Sequence, residues 1–297
     1  MTANVKVAPD ENVGPRWVMW LAFAIVVLLG GSNAVAIRFS HLELPPFWSA
    51  AIRFAAAAVV FWAIILVRRV KVPKGRALAG ALVFGALNVG VSGALMYWGL
   101  VHLPASLAMT VLSLGPLLTF FLAWAHGQEA FRWRGLVGAV VAVVGMLIGV
   151  GSAVGSSIPL LPVLALIAAA VAVAEGAVLY KWFPRSDPVA ANALALTIGA
   201  VILAVLSLVA GEAWSLPATR SAWTAYAYLV LGGSVTLFYL YLNVLRRWTA
   251  SAASYSYLLF PVVTIVIAAW LGNEVISLRF LVGSAIVLVG VWAGAIA

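Results

Sequence analysis

The sequence contains no cysteine and few charged residues, and both absences exclude whole classes of protein. Only 8% of the 297 residues are charged, whereas soluble domains average about a quarter, so this chain cannot form a water-facing surface. Without cysteine, disulfides and thiolate metal sites are excluded. The three histidines, His41, His102 and His126, are far apart in the sequence. HExxH and GxxxxGK[ST] motifs are missing, so we predict no metal, no cofactor and no enzymatic activity.

Hydrophobic residues make up 65% of the chain and occur in long blocks. A membrane-spanning helix needs about 20 mostly apolar residues. Ten blocks meet that length and predict an all-α, polytopic membrane protein with short connections. The blocks are residues 16–38, 44–67, 76–98, 103–124, 133–151, 158–181, 188–210, 221–244, 249–271 and 278–296.

The net charge of +9 comes from basic residues placed between the blocks. With the N-terminus in the cytoplasm, thirteen basic residues fall on the cytoplasmic side and three on the other, which is the bias of the positive-inside rule. We therefore expect both termini in the cytoplasm of a bacterial-type cell, with the protein in the inner membrane. No basic domain stands outside the blocks, so a nucleic-acid partner is not expected. The thirteen are Lys6, Arg16, Arg68, Arg69, Lys71, Lys74, Arg76, Arg132, Arg134, Lys181, Arg185, Arg246 and Arg247; the three are Arg38, Arg220 and Arg279.

The second half of the chain repeats the first. At an offset of 145 residues, Pro116 aligns with Pro261 and Glu129 with Glu274, and the glycines Gly138, Gly145 and Gly149 align with Gly283, Gly290 and Gly294. A weaker match at an offset of 143 places Asn33 on Gly176. We expect a cytoplasmic tail (1–15), a first five-helix repeat (16–151) and a second one (158–297). Since five is odd, the second repeat enters the membrane from the opposite side, as in alternating-access transporters.

Three stretches resemble the EamA branch of the drug/metabolite transporter superfamily. They are residues 30–38 (GGSNAVAIR), Pro45-Pro46 with Arg53-Phe54, and the pattern from Ala105-Ser106 through Gly115-Pro116 to Gly127-Gln128-Glu129, which recurs near the C-terminus. The chain looks most like YddG-type exporters of aromatic and other neutral amino acids. This resemblance implies a central cavity lined mainly by helices 1, 3, 4, 6, 8 and 9, with helices 5 and 10 packed at one side, and efflux of a metabolite or drug.

Polar and aromatic residues inside the blocks are the candidates for lining this cavity. A weakly polar cavity with aromatic walls suits a neutral or zwitterionic ligand with an apolar side chain. The alternative for each residue is a hydrogen bond between helices. The candidates are Asn33, Asn88, Ser92, Tyr97, Trp98, Thr110, Ser234, Tyr239, Asn243, Ser254, Tyr255 and Tyr257.

Two charges lie well inside blocks, where an unpaired charge costs several kcal/mol. Arg53 either attracts a substrate carboxylate or locks helix 2 to its neighbours, and the resemblance favours the second interpretation because the family carries Arg here across many substrates. Glu175 is interpreted either as a proton-coupling or substrate-ammonium site, or as a residue that pairs with a cation such as Lys181 or lies near the cytoplasmic interface. Glu129 and Glu274 are interpreted as structural residues at helix ends.

Pro116 and Pro261 lie inside helices 4 and 9, where proline removes a backbone hydrogen bond, so we expect paired gating kinks. The repeated glycines predict close packing of helices 5 and 10 as a scaffold.

The sequence predicts a monomeric exporter of small neutral metabolites, mainly amino acids. A broad-specificity drug or metabolite exporter is the alternative within the class, and a channel or an intramembrane enzyme fits less well. Phosphate-bearing substrates are disfavoured because one intramembrane arginine is too few for them. Proton antiport and facilitated diffusion both remain open.

Overall fold

The structure is a computed structural model that describes residues 16–150, 160–271 and 276–295. The N-terminal tail, the connection 151–159 and Glu274 lie outside the described residues, as do the surroundings of Gly149. Within the described ranges the chain forms ten helical segments. They are α1 Arg16–Ser40, α2 Pro46–Arg68, α3 Gly75–His102, α4 Ala105–Ala125, α5 Trp133–Val150, α6 Leu160–Tyr180, α7 Pro188–Val209, α8 Arg220–Arg247, α9 Ala250–Trp270 and α10 Leu278–Ala295.

Eight of these helices are long and apolar enough to cross a membrane, and α5 and α10 are shorter apolar helices. Large apolar side chains cover their outer faces; Val59, Leu66 and Val266, for example, are 66–77% exposed. Such faces are unfavourable in water and suit contact with lipid. The predicted all-helical, membrane-spanning fold is therefore confirmed.

The backbone itself repeats at the 145-residue offset. Both α3 and α8 contain a π-helical turn, at Ala86–Val91 and at Leu231–Thr236. The bounds of α3 and α8 differ by the same 145 residues, and so do those of α5 and α10. Because π turns are rare in proteins, two of them at one offset show that the halves share local structure as well as sequence.

Helices α5 and α10 pack against each other in opposite directions. A Cβ atom at Gly138, near the start of α5, would overlap the backbone of Gly290 and Gly294, near the end of α10. A Cβ atom at Gly145 would lie 2.8 Å from the Gly283 carbonyl, near the start of α10. Only glycine allows this approach, so the structure places these glycines at the scaffold contact that the sequence predicted.

Helices α2 and α7 are also antiparallel. The Glu212 carboxylate, just beyond the end of α7, accepts hydrogen bonds from the Phe47 and Trp48 amides at the start of α2, at 3.1 and 2.7 Å. Further along, the Trp62 indole donates to Thr197 Oγ1 at 3.0 Å. The helices that correspond in the two repeats therefore run in opposite directions, both for α2 and α7 and for α5 and α10.

The two prolines differ in their surroundings. Pro261 lies inside the continuous helix α9. Pro116, by contrast, follows a break in α4 at Ser113–Leu114 and is the second residue of the helix that restarts at Gly115. The Ser113 hydroxyl donates to the Thr110 carbonyl at 2.7 Å. The corresponding residue in the second repeat, at the 145-residue offset, is Leu258, which has no hydroxyl. The kink expected at Pro116 stays a prediction, and α4 is interrupted within one turn of that residue.

Candidate functional site

A cavity of about 100 Å³ lies in the middle of the bundle, between α1, α2, α3, α4, α6, α8 and α9. Six of the predicted residues line it: Asn33, Arg53, Asn88, Ser92, Tyr97 and Tyr257. The resemblance did not imply α2, which contributes Arg53 and Phe54. The volume is below the several hundred Å³ typical of ligand pockets, so this conformation holds at most a small ligand.

Arg53 is the centre of the polar part of the cavity, with 1% of its surface exposed. Its Nε donates to Ser234 Oγ at 2.8 Å, and its Nη1 donates to the Tyr97 hydroxyl at 2.9 Å. Its Nη2 donates to Asn33 Oδ1 at 3.1 Å and to the Gly233 carbonyl at 2.8 Å. One guanidinium thus connects α2 with α1, α3 and α8.

All four acceptors of Arg53 are uncharged. A buried cation without an anion is unfavourable even when hydrogen-bonded, because dipoles replace only part of its hydration. Among the described residues that line the cavity, Arg53 alone carries a charge. At the 143-residue offset the second repeat has Leu196 in place of Arg53, so the cavity is positive on one side.

The π turn in α8 makes the Gly233 carbonyl available to Arg53. In a regular α-helix the Leu237 amide would bond to that carbonyl, but here it bonds to the carbonyls of Gly232 and Ser234. A Cβ atom at Gly233 would overlap Asn33 Oδ1 and lie 2.9 Å from Arg53 Nη2. A side chain at position 233 would therefore displace Asn33 or Arg53 from this carbonyl.

A second contact of the same kind joins the two repeats. Asn33 on α1 packs against Gly233 in the π turn of α8, and Asn88 in the π turn of α3 packs against Gly176 on α6. Asn88 Nδ2 donates to the Val173 carbonyl of α6 at 3.3 Å. In each pair one helix supplies asparagine and the other glycine, and the two roles are exchanged between repeats.

Aromatic and sulphur-containing side chains form the rest of the wall. Phe54 faces Phe238 with ring centroids 6.1 Å apart, and Tyr257 packs against Phe260 at 4.9 Å and Tyr241 at 6.1 Å. The sequence reasoning missed Phe54, Tyr241, Phe238, Phe260, Met96 and Met109, because an apolar residue in a membrane helix has no sequence signal that separates cavity from lipid. Tyr241 is the exception, since a tyrosine hydroxyl inside an apolar block is itself a polar signal.

Several predicted residues lie away from the cavity. Trp98 packs on His102 at the end of α3, and Tyr239 is 37% exposed on the outside of α8. Asn243 donates to the Tyr239 carbonyl, and Ser254 to the Ser251 carbonyl within α9. None of these four residues lines the cavity.

Three other predicted residues have partners between helices. Ser234 does not line the cavity, but its hydroxyl accepts the hydrogen bond from Arg53 Nε. Thr110 on α4 lies 3.3 Å from Ser284 on α10. Tyr255 lies beside Arg132 and Glu129 at the connection between α4 and α5.

Glu175 is also outside the cavity, and its partner is a histidine. One carboxylate oxygen lies 2.8 Å from His126 Nε2, and each side chain is about a quarter exposed. Lys181, which the sequence offered as a partner, instead donates to the Trp248 carbonyl at 2.5 Å. Burial and the nearby Arg185 lower the pKa of Lys181 to about 8. Glu129 accepts from Ser251 Oγ at 2.7 Å, which anchors the α4–α5 connection to α9.

An open vestibule of about 520 Å³ lies at the end of the bundle that bears the α1–α2 connection. Arg38, His41 and Glu43 are among its lining residues. The His41 ring packs edge-on against Tyr97, with centroids 5.5 Å apart, and so stands between the vestibule and the cavity. Burial, together with Arg38, lowers the pKa of His41 to about 4, so this ring is neutral at pH 7.

The model of the EamA-like transporter family matches residues 16–150 and again residues 160–293. The chain belongs to the EamA-like transporter family. Its two matches coincide with the two repeats, and membership makes the chain a transporter rather than an enzyme. The predicted family is therefore confirmed.

Curated relatives from distant organisms agree with this assignment. The chain is 28% identical over 260 residues to the uncharacterized inner membrane transporter YedA of Escherichia coli K12, covering 86% of this chain and 83% of the relative. It is 27% identical to an uncharacterized transporter of Archaeoglobus fulgidus, covering 92% and 97%. It is 30% identical to a probable terminal-alkyne amino-acid exporter of Streptantibioticus cattleyicolor, covering 90% and 86%. These matches and the apolar helices identify a multi-pass inner-membrane protein.

A solved crystal structure shares the fold. It superposes with a TM-score of 0.71 at 22% sequence identity, covering 94% of this chain and 98% of the other. At that identity the likeness concerns the arrangement of the helices.

Proposed function

We propose that this EamA-family transporter exports small metabolites of the amino-acid type, with a carboxylate at one end and an apolar side chain at the other. The observation that carries the proposal is Arg53, a buried cation in the wall of an otherwise uncharged, aromatic cavity. A substrate carboxylate supplies the missing anion, and the rings of Phe54, Phe238 and Phe260 accept the side chain. The relative named as a probable amino-acid exporter supports the same substrate class.

Alternating access is the proposed transport mechanism. Corresponding helices of the two repeats run antiparallel, so each half can adopt the conformation of the other and open the cavity to the opposite side. We propose ten membrane crossings, with both termini in the cytoplasm and each half supplying five helices. Since both halves are in one chain, a monomer suffices. The break in α4 and Pro261 in α9 are the proposed bending points.

A broad-specificity exporter is the second candidate, supported by a specific observation. Met96 and Met109 line the cavity beside the aromatic rings, and methionine adapts to ligands of different shape. On this hypothesis the substrate need not carry a carboxylate.

Counterflow in proteoliposomes tests the proposal. Vesicles are loaded with one unlabelled solute from a panel of leucine, phenylalanine, threonine, a sugar phosphate and a cationic drug, and labelled leucine is supplied outside. Accumulation driven by the amino acids and not by the sugar phosphate is the expected result. Exchange of the cationic drug alone, measured with the labelled drug, would favour the second candidate and contradict the role of Arg53.

A further inference from the structure

We propose that the central cavity selects organic monocarboxylates that carry no ammonium group over the corresponding zwitterionic amino acids. This inference rests on the proposed function and narrows its substrate class. Its basis is the combination of one buried cation with a wall that lacks any described anion. A zwitterion brings two charges into that cavity, and only its carboxylate meets a charge of opposite sign.

The acidic side chains of the described chain are all engaged elsewhere. Glu43 accepts hydrogen bonds from the Ala218 amide and Thr219, and Glu212 accepts from the α2 amides. Asp187 caps α7, Glu129 accepts from Ser251 and Glu175 pairs with His126. None of these five lines the cavity. A substrate ammonium would meet amide and hydroxyl oxygens alone, which repay only part of its dehydration.

The carboxylate, in contrast, finds two donors already in place. A guanidinium has five N–H groups, and the four hydrogen bonds of Arg53 leave one N–H on Nη1. The Tyr97 hydroxyl accepts from that same Nη1 at 2.9 Å, and its own proton has no acceptor in the described part of the chain. The Nη1 N–H and the Tyr97 O–H are therefore adjacent donors that one carboxylate can engage together.

The charge of such a substrate also determines the driving force. A monocarboxylate carries one negative charge across the membrane, whereas a zwitterion carries none. The inside-negative potential of a cell drives anions outward. Outward transport of this substrate class therefore needs no coupling ion, and no acidic residue is needed in the cavity.

Three ligands with the same isobutyl group separate the effect of the carboxylate from that of the ammonium. Leucine carries both groups, 4-methyl-2-oxopentanoate replaces the ammonium by a carbonyl, and 3-methylbutylamine lacks the carboxylate. Binding of each to the purified full-length protein is measured by isothermal titration calorimetry at pH 7.4. We expect the oxo acid to bind at least tenfold more tightly than leucine, and the amine not to bind. Leucine binding equal to or tighter than the oxo acid would overturn the inference while leaving the proposed function intact; binding of the amine alone would overturn both.

Transport provides the second readout. Uptake of labelled oxo acid into proteoliposomes, with the leak into protein-free vesicles subtracted, should rise severalfold under a valinomycin-imposed, inside-positive potential. Leucine uptake should not respond. Oxo acid uptake that is indifferent to the potential would contradict the inference.

A tyrosine pair supplies the matched variants. Tyr97→Phe removes the proposed donor hydroxyl and keeps the ring, and we expect about a tenfold loss of affinity for the oxo acid with a smaller change for leucine. Tyr239→Phe, on the exposed side of α8, should leave both affinities unchanged. Arg53→Gln should abolish the preference; if that variant does not elute as a folded species, the ligand series on the natural sequence decides. Equal losses in Tyr97→Phe and Tyr239→Phe would contradict the assignment of the donor.

Discussion

At the scale of single residues, the one charged side chain among the described residues of the cavity wall, Arg53, is held by uncharged hydrogen-bond acceptors. Arg53 is held by two hydroxyls, one amide oxygen and one backbone carbonyl. Arg53 was singled out from the sequence because a charge in an apolar block is conspicuous. The part of Gly233 could not be read from the sequence, because its carbonyl is available only where α8 adopts a π turn.

Gly233→Ala should destabilise the protein by about 1–3 kcal/mol, the usual cost of overpacking. The added methyl group would overlap Asn33 Oδ1 and crowd Arg53 Nη2. Thermal unfolding in detergent measures the effect. The control is Gly232→Ala in the same turn, where the nearest atom to the new Cβ is the Tyr228 ring edge at 3.3 Å, so little change is expected. Equal stability of the two variants would show that Gly233 is not constrained by Arg53.

His41 makes stability depend on pH. Its pKa is about 4 in the folded protein against 6.5 when exposed, so between these values the unfolded chain binds the extra proton. The free energy of unfolding should therefore be highest above pH 6.5. It should fall as the pH drops toward 4, by at most about 1.4 kcal/mol per pH unit. Unfolding midpoints between pH 7.5 and 4.5 measure this slope.

Two variants test the origin of that pH dependence. His41→Gln should flatten the slope, because the titrating group is lost. His102→Gln, at the end of α3 where His102 bonds to the Trp98 carbonyl, should keep it. A slope that survives in His41→Gln would assign the pH dependence to another group.

At the scale of helices, the sequence predicted where each helix lies in the chain better than it predicted the irregular turns inside the helices. Runs of apolar residues defined the ten segments, and the 145-residue match predicted which of them correspond. Block 44–67 was observed as Pro46–Arg68. The π turns were not foreseen, since runs of apolar residues do not indicate the hydrogen bonding inside a helix. The break in α4 lies within one turn of Pro116, which has no N–H to donate to the Leu112 carbonyl.

Pro261→Ala should make the protein more stable and its transport slower. The new amide can bond to the Tyr257 carbonyl and would add about 1 kcal/mol, while a straighter α9 would bend less easily. Unfolding midpoints and initial counterflow rates measure the two effects. Pro188→Ala, at the first residue of α7 where an N–H is not needed, is the control. A stabilised Pro261→Ala variant with an unchanged rate would limit this proline to a role in packing.

At the scale of the whole molecule, both the family and the two-repeat architecture were predictable from the sequence. The duplicated pattern of Pro, Glu and Gly was enough, because apolar composition alone does not align such residues. Only six of the twenty described residues that line the cavity were predicted. Polarity indicates that a side chain avoids lipid, but not whether it then faces the cavity or another helix. Thr110 and Glu175 face other helices.

The absence of cysteine makes the proposed topology directly testable. Val72→Cys lies in the α2–α3 connection and Leu216→Cys in the α7–α8 connection, and both positions are exposed. With the termini in the cytoplasm, a membrane-impermeant maleimide should label Leu216→Cys in intact spheroplasts. Val72→Cys should be labelled only after the cells are broken. The reverse pattern would invert the orientation, and labelling of both in intact spheroplasts would contradict the number of crossings.

The paired π turns also record how the chain arose. A π turn is a helix carrying one extra residue, and here the extra residue lies at the same place in both halves, 145 residues apart. We infer that this insertion was present in a five-helix ancestor before its gene was duplicated and fused. Two copies of such an ancestor, inserted in opposite directions, would form the contacts of Asn33 with Gly233 and of Asn88 with Gly176 across one interface.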